Sequence, residues 1–256
     1  MKKIINILLS FFMALVIFVG SLSFVGAIVT SAPFIKSTVI ISGYFNNAEK
    51  EIADSLKSVA IPSGLPENFF DDKIETEFIK ETVNNSISAA LSGKEYVMPS
   101  EKIEALVLED ITLYAKQNGV ELNQEASEML KETARLSADY YKNYTYNIFY
   151  RALKHIKGIS LKLFIAFLAF AVVGVLMYFL LKNKKELSYA LSSGGAMLIV
   201  SVLFAIIKGA FNLAIGSEAL LSFMNNLIGG MIAIIIGIGG FAIFLSIKNT
   251  KKINKK

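Results

Sequence analysis

Long apolar runs alternate along the chain with segments that mix apolar and polar positions. Four stretches, at residues 4–29, 161–181, 189–207 and 221–247, are almost purely apolar. A helix needs about 20 such residues to cross the roughly 30 Å hydrocarbon core of a bilayer. Lys208 stands at the end of the third stretch, where a long side chain can extend to the interface. The pattern predicts four transmembrane helices.

Residues 31–160, between the first two apolar stretches, have helical periodicity instead. Turn sequences at 61–66, 92–100 and 117–123 divide this segment into four pieces. In the first piece, apolar or small residues recur at steps of three and four: Phe34, Thr38, Ile41, Phe45, Ala48, Ile52, Leu56 and Val59. No piece alternates with the period of a strand. The sequence therefore predicts an all-α membrane protein with an antiparallel four-helix bundle between its first and second spans.

Helix lengths place the corners of this predicted bundle. One helix over residues 34–60 rises about 40 Å at 1.5 Å per residue, which puts the following IPSGLPENFF (residues 61–70) at the membrane-distal tip. The fourth helix is expected to run with little interruption from Gln124 into the second span, because only Gly158 and Ser160 stand between them. Such a rod would couple the bundle to the spans.

The distribution of charge predicts the topology. Residues 31–160 carry 14 Lys and Arg against 19 Asp and Glu, whereas the rest of the chain carries 12 against 2. Ten of these 12 residues are lysines that flank the spans at residues 2–3, 182–185 and 248–256. Cations in short flanking loops stay on the cytoplasmic side. The chain is therefore predicted to lie in the cell membrane with both termini in the cytoplasm and residues 31–160 outside the cell.

This topology divides the chain into four parts. They are an uncleaved N-terminal anchor at 1–30, an extracytoplasmic helical domain at 31–160, a three-helix transmembrane domain at 161–247 and a basic cytoplasmic tail at 248–256. The alternative for the first part is a signal peptide cleaved after Ala27, which would leave three spans. The apolar run covers about 22 residues, and a signal core has about 7 to 15, so the anchor is favoured.

Composition changes the picture mainly by exclusion. The chain has no cysteine, so it has no disulfide, no thiolate nucleophile and no Cys-containing zinc site. The net charge of +5 is the sum of an acidic outer segment and basic membrane flanks, and it does not indicate nucleic-acid binding. The lipid bilayer and a protein of the cell envelope are the expected partners.

Candidate catalytic groups are few. His155 is the one histidine and cannot supply a paired metal site, and Ser160 and Lys162 are two residues apart, which puts them on different helix faces. Asp71, Asp72 and Glu75 place three acids within one turn, where the helix dipole favours them without any metal. We therefore expect no enzyme, no cofactor and no metal site.

The predicted tip is the first candidate for partner contact. Its exposed-looking apolar residues, together with those of the neighbouring corner, are Leu65, Pro66, Phe69, Phe70, Val120 and Leu122. The alternative for the two phenylalanines is that they fill the bundle core. A second candidate is a ligand groove beside the tyrosines of the fourth helix, at positions 140, 141, 144, 146 and 150, although tyrosines near a span also form interfacial belts.

Small residues recur every four positions in the last two spans and predict close helix packing. They are Ser188, Ser192 and Ala196 in one span, and Gly229, Ala233 and Gly237 in the other. The pairing is expected within one chain, with a homo-oligomer interface on the fourth span as the alternative. The function predicted from all of this is a non-enzymatic membrane protein whose outer domain binds a partner or senses envelope conditions, as a candidate accessory subunit of a membrane complex. The alternative function is a homo-oligomeric pore or transporter subunit with the outer domain as a cap.

Overall fold

The computed structural model describes residues 2–70, 76–119, 123–180, 184–214 and 216–254, and within these ranges the regular structure is entirely helical. The α-helices are α1 (Lys2–Val29), α2 (Ala32–Ile41), α3 (Tyr44–Ala60), α4 (Thr76–Ser92), α5 (Ser100–Gln117), α6 (Gln124–Lys142), α7 (Ile159–Leu180), α8 (Lys184–Leu191), α9 (Gly194–Ala214) and α10 (Glu218–Asn254). A π-helical segment, Asn143–Arg151, and a 3₁₀ turn, Lys154–Ile156, follow α6.

Four helical runs are long and apolar enough to cross a membrane, which confirms an all-helical chain with four candidate spans. They are Ile4–Val29, Gln124–Leu180, Leu187–Ala210 and Glu218–Lys251. In the second run the apolar part is α7, whose sequence carries one lysine and no acid. The candidate spans are therefore α1, α7, α9 and α10.

The chain divides into two compact units. The apolar unit comprises Met1–Thr38, Gly158–Ile215 and Phe223–Lys256, and the polar unit comprises Val39–Lys157 and Gly216–Ser222. The sequence placed the domain boundaries at residues 30 and 160. It also assigned the short connection between α9 and α10 to the transmembrane domain, whereas this connection groups with the polar unit.

In the apolar unit, α1 packs against α7, α8 and α9. Met13 and Val16 of α1 share a buried cluster with Met177 and Ala190. A second cluster joins Val25 to residues of α9 and α10, with Met197 and Ile235 at its centre. Apolar contact of this kind, together with close backbone approach, holds helices together where lipid supplies no hydrophobic drive.

In the polar unit, α3 packs against α4 and α6, and α6 also packs against α5. The π-helical segment packs against α4. The largest fully buried side chains of this unit are Tyr44, Phe70, Phe149, Ile52, Leu56, Ile79, Ile87, Ile111, Val39 and Val83. The amphipathic faces that the sequence predicts therefore bury one another.

The predicted continuous helix over residues 34–60 is wrong. The chain breaks between α2 and α3 at Gly43, whose φ of +70° lies in the left-handed region that glycine adopts without strain. This break changes which face is buried. Ile41, which the regular spacing put in the core stripe, is 75% exposed. The 40 Å estimate for the distance to the tip no longer holds, since it required a single helix.

The predicted rod from α6 into the second span is also interrupted. After the π-helical segment and the 3₁₀ turn, Lys157 has an extended ψ of 127°, and Gly158 has a φ of +70°. A new helix then begins at Ile159. Two residues outside the right-handed helical region end the helical hydrogen-bond ladder, so the coupling proposed for a continuous rod has no basis here.

Candidate functional site

The predicted distal tip is largely core. Leu65, Phe69 and Phe70 are all buried, and the Phe69 ring packs edge-on against Phe70 at 5.0 Å and against Tyr114 at 5.3 Å. Side chains enclosed in this way have no surface to offer a partner. The prediction that these three residues contact a partner is therefore wrong. Both phenylalanines are core residues, as the alternative proposed.

The remaining tip residues have different outcomes. Pro66 is half-buried, so its partner contact stays a prediction. Val120 and Leu122, like Asp71, Asp72 and Glu75 of the acidic turn, lie outside the described residues. The sequence IPSGLP is a corner, as expected, with Gly64 at a φ of +73°.

Only part of the predicted small-residue packing occurs within the chain. Ser188 is buried, and its carbonyl oxygen accepts a 2.7 Å hydrogen bond from Ser246 Oγ. Ser192, Ala196, Ala233 and Gly237 are exposed, which contradicts their predicted packing within the chain. The homo-oligomer alternative, which concerns the fourth span, stays a prediction. Gly229 is half-buried and faces Lys208.

The close crossing of α9 and α10 is at Gly194 and Gly239 instead. A Cβ built on Gly194 would lie 2.4 Å from the Gly239 carbonyl oxygen, and one built on Gly239 would lie 2.8 Å from that of Gly194. No side chain fits between backbones at these distances. The spacing rule found α10 but the wrong face of it, because Gly239 is two residues beyond the predicted stripe; of the other stripe, Ser188 lies in α8, Ser192 lies in the turn that follows it, and only Ala196 lies in α9.

A polar cleft of about 580 Å³ lies in the polar unit beside the middle of α3. Its walls come from α3, α6, the π-helical segment, the connection that precedes α10 and the first residue of α10. The lining residues are Lys50, Glu51, Asp54, Ser55, Ser58, Tyr140, Tyr144, Gly216, Ser217 and Glu218. We call this the Glu51 cleft. Three carboxylates against one ammonium make it acidic, and hydroxyl groups supply most of its other polar atoms.

Glu51 holds the start of α10. Its Oε2 accepts a 2.8 Å hydrogen bond from Ser217 Oγ, and its Oε1 accepts a 2.8 Å hydrogen bond from the Ala219 backbone N–H. Ser217 in turn accepts a 3.1 Å bond at Oγ from the Leu220 N–H, as an N-cap residue does. A carboxylate at a helix N-terminus satisfies unpaired N–H groups and interacts favourably with the helix dipole.

Tyr144 closes the cleft from the π-helical segment. Burial, with the neighbouring Glu51 as the next cause, raises the pKa of its phenol to about 12, so it stays a neutral donor throughout the physiological range. Its backbone carbonyl accepts a hydrogen bond from the hydroxyl of Tyr44. Burial also raises the pKa of Tyr44, and a neutral hydroxyl is what this hydrogen bond requires.

A smaller cleft of about 380 Å³ lies on the other side of Tyr144, along the π-helical segment. Asn143, Asn147, Ile148 and Arg151 line it with Tyr144. Asn147 donates from Nδ2 to Asn143 Oδ1, while its own Oδ1 is buried without a hydrogen-bond partner. π-Helical turns are rare and frequently occur at functional sites, so this segment belongs with the candidate site.

The predicted tyrosine groove is thus partly present. Tyr140 and Tyr144 line the Glu51 cleft, whereas Tyr141 is buried against Phe78 with ring centroids 6.0 Å apart. Tyr146 and Tyr150 stack on each other at 4.9 Å and do not line either cleft. Only two of the five tyrosines therefore face the cleft beside Glu51, although the sequence treated them as one group.

The other candidate catalytic groups do not assemble. His155 is exposed, and Ser160 Oγ donates a 2.7 Å hydrogen bond to the Ala27 carbonyl oxygen. Within the described ranges, no three His, Cys, Asp or Glu side chains are grouped closely enough to hold a metal ion.

The comparisons with known proteins add no family. No protein-family model, curated protein or solved structure matches this chain.

Proposed function

We propose that the chain is a non-enzymatic integral membrane protein whose polar unit lies outside the membrane as a helical bundle. In this proposal the Glu51 cleft recognises a partner or a cationic ligand of the cell envelope. The acidic lining of the cleft and the net negative charge of residues 31–160 support it, as does the concentration of lysines near the span ends. Both termini are proposed to be cytoplasmic.

The observation that carries the proposal is the pair of hydrogen bonds from Ser217 and Ala219 to Glu51. These bonds join α3 to residues more than 160 positions away in sequence, at the start of the last spanning helix. α10 begins in the polar unit and continues into the apolar unit. Its first turn lines the cleft in which the proposed ligand would bind. A ligand that competes for Glu51 would release that turn, which makes the cleft a sensor as well as a binding site.

Replacing Glu51 with glutamine is expected to loosen the start of α10 without unfolding the polar unit. Glutamine keeps the shape but has a single uncharged acceptor oxygen, and hydrogen bonds to charged groups are the stronger kind. Amide hydrogen exchange at residues 217–222 should accelerate roughly tenfold, which corresponds to about 1.4 kcal/mol of local stability. Mass-spectrometric exchange on the full chain in detergent micelles measures this change.

Glu109→Gln is the matched control for this exchange experiment. Glu109 is exposed on α5 and does not line the Glu51 cleft, so its replacement removes the same charge without touching the cleft. Exchange at residues 217–222 should stay at the wild-type rate in this variant. Equal rates in Glu51→Gln and wild type would contradict the role given to Glu51 in holding α10.

A single cysteine tests both the placement and the partner, because the natural chain has none. Ser58→Cys, exposed on the wall of the Glu51 cleft, should react with a membrane-impermeant maleimide in intact cells. Lys248→Cys, in α10, should react only after permeabilisation. A photoactivatable maleimide at position 58 should then crosslink an envelope component. Labelling of Lys248→Cys in intact cells, with Ser58→Cys protected, would reverse the proposed topology.

A further inference from the structure

The inward face of α9 ends in a lysine. Gly194, Met197 and Ser201 are buried at steps of three and four, and Phe204 continues the stripe against the cluster centred on Met197 and Ile235. Lys208 is the next residue of this stripe and is half-buried. The residues around it point outward and are exposed: Val202, Leu203, Ala205, Ile206, Ile207, Gly209 and Ala210. The one cation of this span therefore faces the other helices and not the lipid.

A notch in α10 receives the ammonium group. A Cβ built on Gly229 would lie 3.8 Å from Lys208 Nζ, and one built on Gly230 would lie 3.0 Å from Cζ of the Phe34 ring. At Gly229 an added Cβ would be in ordinary contact with the ammonium group, whereas at Gly230 it would press against the Phe34 ring. All four of these residues belong to the apolar unit.

A buried hydrogen-bond acceptor without a partner lies one helical turn from Gly229 in α10. Asn225 stands four residues before Gly229, and its Oδ1 is buried without a hydrogen-bond partner. Among the described residues, no side chain or carbonyl forms a hydrogen bond or ion pair with Lys208. A buried polar atom without a partner is destabilising, and an unpaired cation is more so. The two groups call for a ligand that has both an anionic acceptor and a donor.

We propose that Lys208, Asn225 and the Gly229 notch bind a phosphodiester with a neighbouring hydroxyl, the chemistry of an anionic glycerol headgroup. The phosphate accepts hydrogen bonds from the Lys208 ammonium group and neutralises it. The hydroxyl donates to Asn225 Oδ1. Lys208 directly follows the apolar stretch at 189–207, so it stands near a span end, where lysine side chains extend towards anionic headgroups. The same chemistry is available from a soluble glycerol phosphodiester.

The test is thermal unfolding of the full chain in neutral detergent micelles with added lipid. Phosphatidylglycerol at about ten times its Kd should raise the Tm of the wild type by about 3–5 °C, and phosphatidylcholine should leave it unchanged. Lys208→Gln should abolish the shift, and Lys208→Arg should keep it. Lys248→Gln is the matched control, because Lys248 is exposed near the end of α10, and it should respond as the wild type does.

Two further ligands separate the parts of the proposal. Phosphatidylmethanol has the same diester charge and no headgroup hydroxyl, so it should give a smaller shift; an equal shift would overturn the role of Asn225. Glycerophosphoglycerol, the headgroup without acyl chains, identifies a soluble ligand if it matches the lipid and a lipid site if it has no effect. A phosphatidylglycerol shift that persists in Lys208→Gln would overturn the site, as would the absence of any shift in the wild type.

Discussion

Replacing Phe70 with alanine is expected to lower the free energy of unfolding of the polar unit by about 3–5 kcal/mol. Phe70 is 2% exposed, and its ring meets that of Phe69, which in turn meets Tyr114 of α5. Truncation removes the transfer free energy of the ring and leaves a cavity that packed neighbours fill only in part. Chemical denaturation of the full chain in micelles, followed by near-ultraviolet circular dichroism of the tyrosines, measures the loss.

Ile61→Ala is the matched control for this measurement. Ile61 stands in the same corner but is 60% exposed, so its truncation should change the free energy of unfolding by no more than about 0.5 kcal/mol. If Phe70→Ala were as stable as Ile61→Ala, the aromatic pair would be a surface feature after all. A partner-contact role would then be open again for both rings.

Helix content and burial within each helix were the most predictable features of the fold. The spacing of Phe45, Ala48, Ile52 and Leu56 predicts one buried face, and all four residues are buried. The same spacing continues back to Ile41 and Phe34, so nothing in the pattern reveals that Gly43 breaks the helix. A single residue in the left-handed conformation redirects the chain here. The sequence gives almost no sign of it, because glycine also occurs inside helices.

The candidate site was less predictable, for a reason that Glu51 makes clear. In sequence, Glu51 looks like any solvent-exposed glutamate of an amphipathic helix. The residues that donate hydrogen bonds to it, Ser217 and Ala219, lie more than 160 residues away. Helical periodicity describes local faces and carries no information on such pairs. The one available signal was Ser217 followed by Glu218, which is typical of a helix start, but it does not indicate what else caps that helix.

The packing of α9 against α10 shows the same limit. A four-residue repeat of small side chains identifies a helix face that permits close approach, but lipid covers such a face equally well. Gly239 lies two residues after Gly237, the last residue of the repeat. The two helices approach closely at Gly239 because Gly194 of α9 faces it. The choice of face therefore depends on the partner helix, which a single-helix pattern does not contain.

Gly239→Ala is accordingly expected to destabilise the apolar unit, while Gly237→Ala, two residues earlier in the same helix, stabilises it slightly. A Cβ at position 239 would meet the Gly194 carbonyl oxygen at 2.8 Å and Met197 Cβ at 3.0 Å, so α9 and α10 must move apart. Overpacking of this kind costs about 1–3 kcal/mol, which exceeds the gain of up to about 1 kcal/mol from replacing glycine in a helix.

At Gly237 no atom lies within 4 Å of the added Cβ, so only the helix-propensity gain remains. Thermal unfolding of the two variants in the same micelles should therefore shift Tm in opposite directions, by about 2–4 °C for each kcal/mol. A loss of stability in Gly237→Ala that grows with protein concentration would instead place that face in contact with a second copy of the chain. That result would favour the homo-oligomer, because a face covered by lipid alone has no concentration dependence.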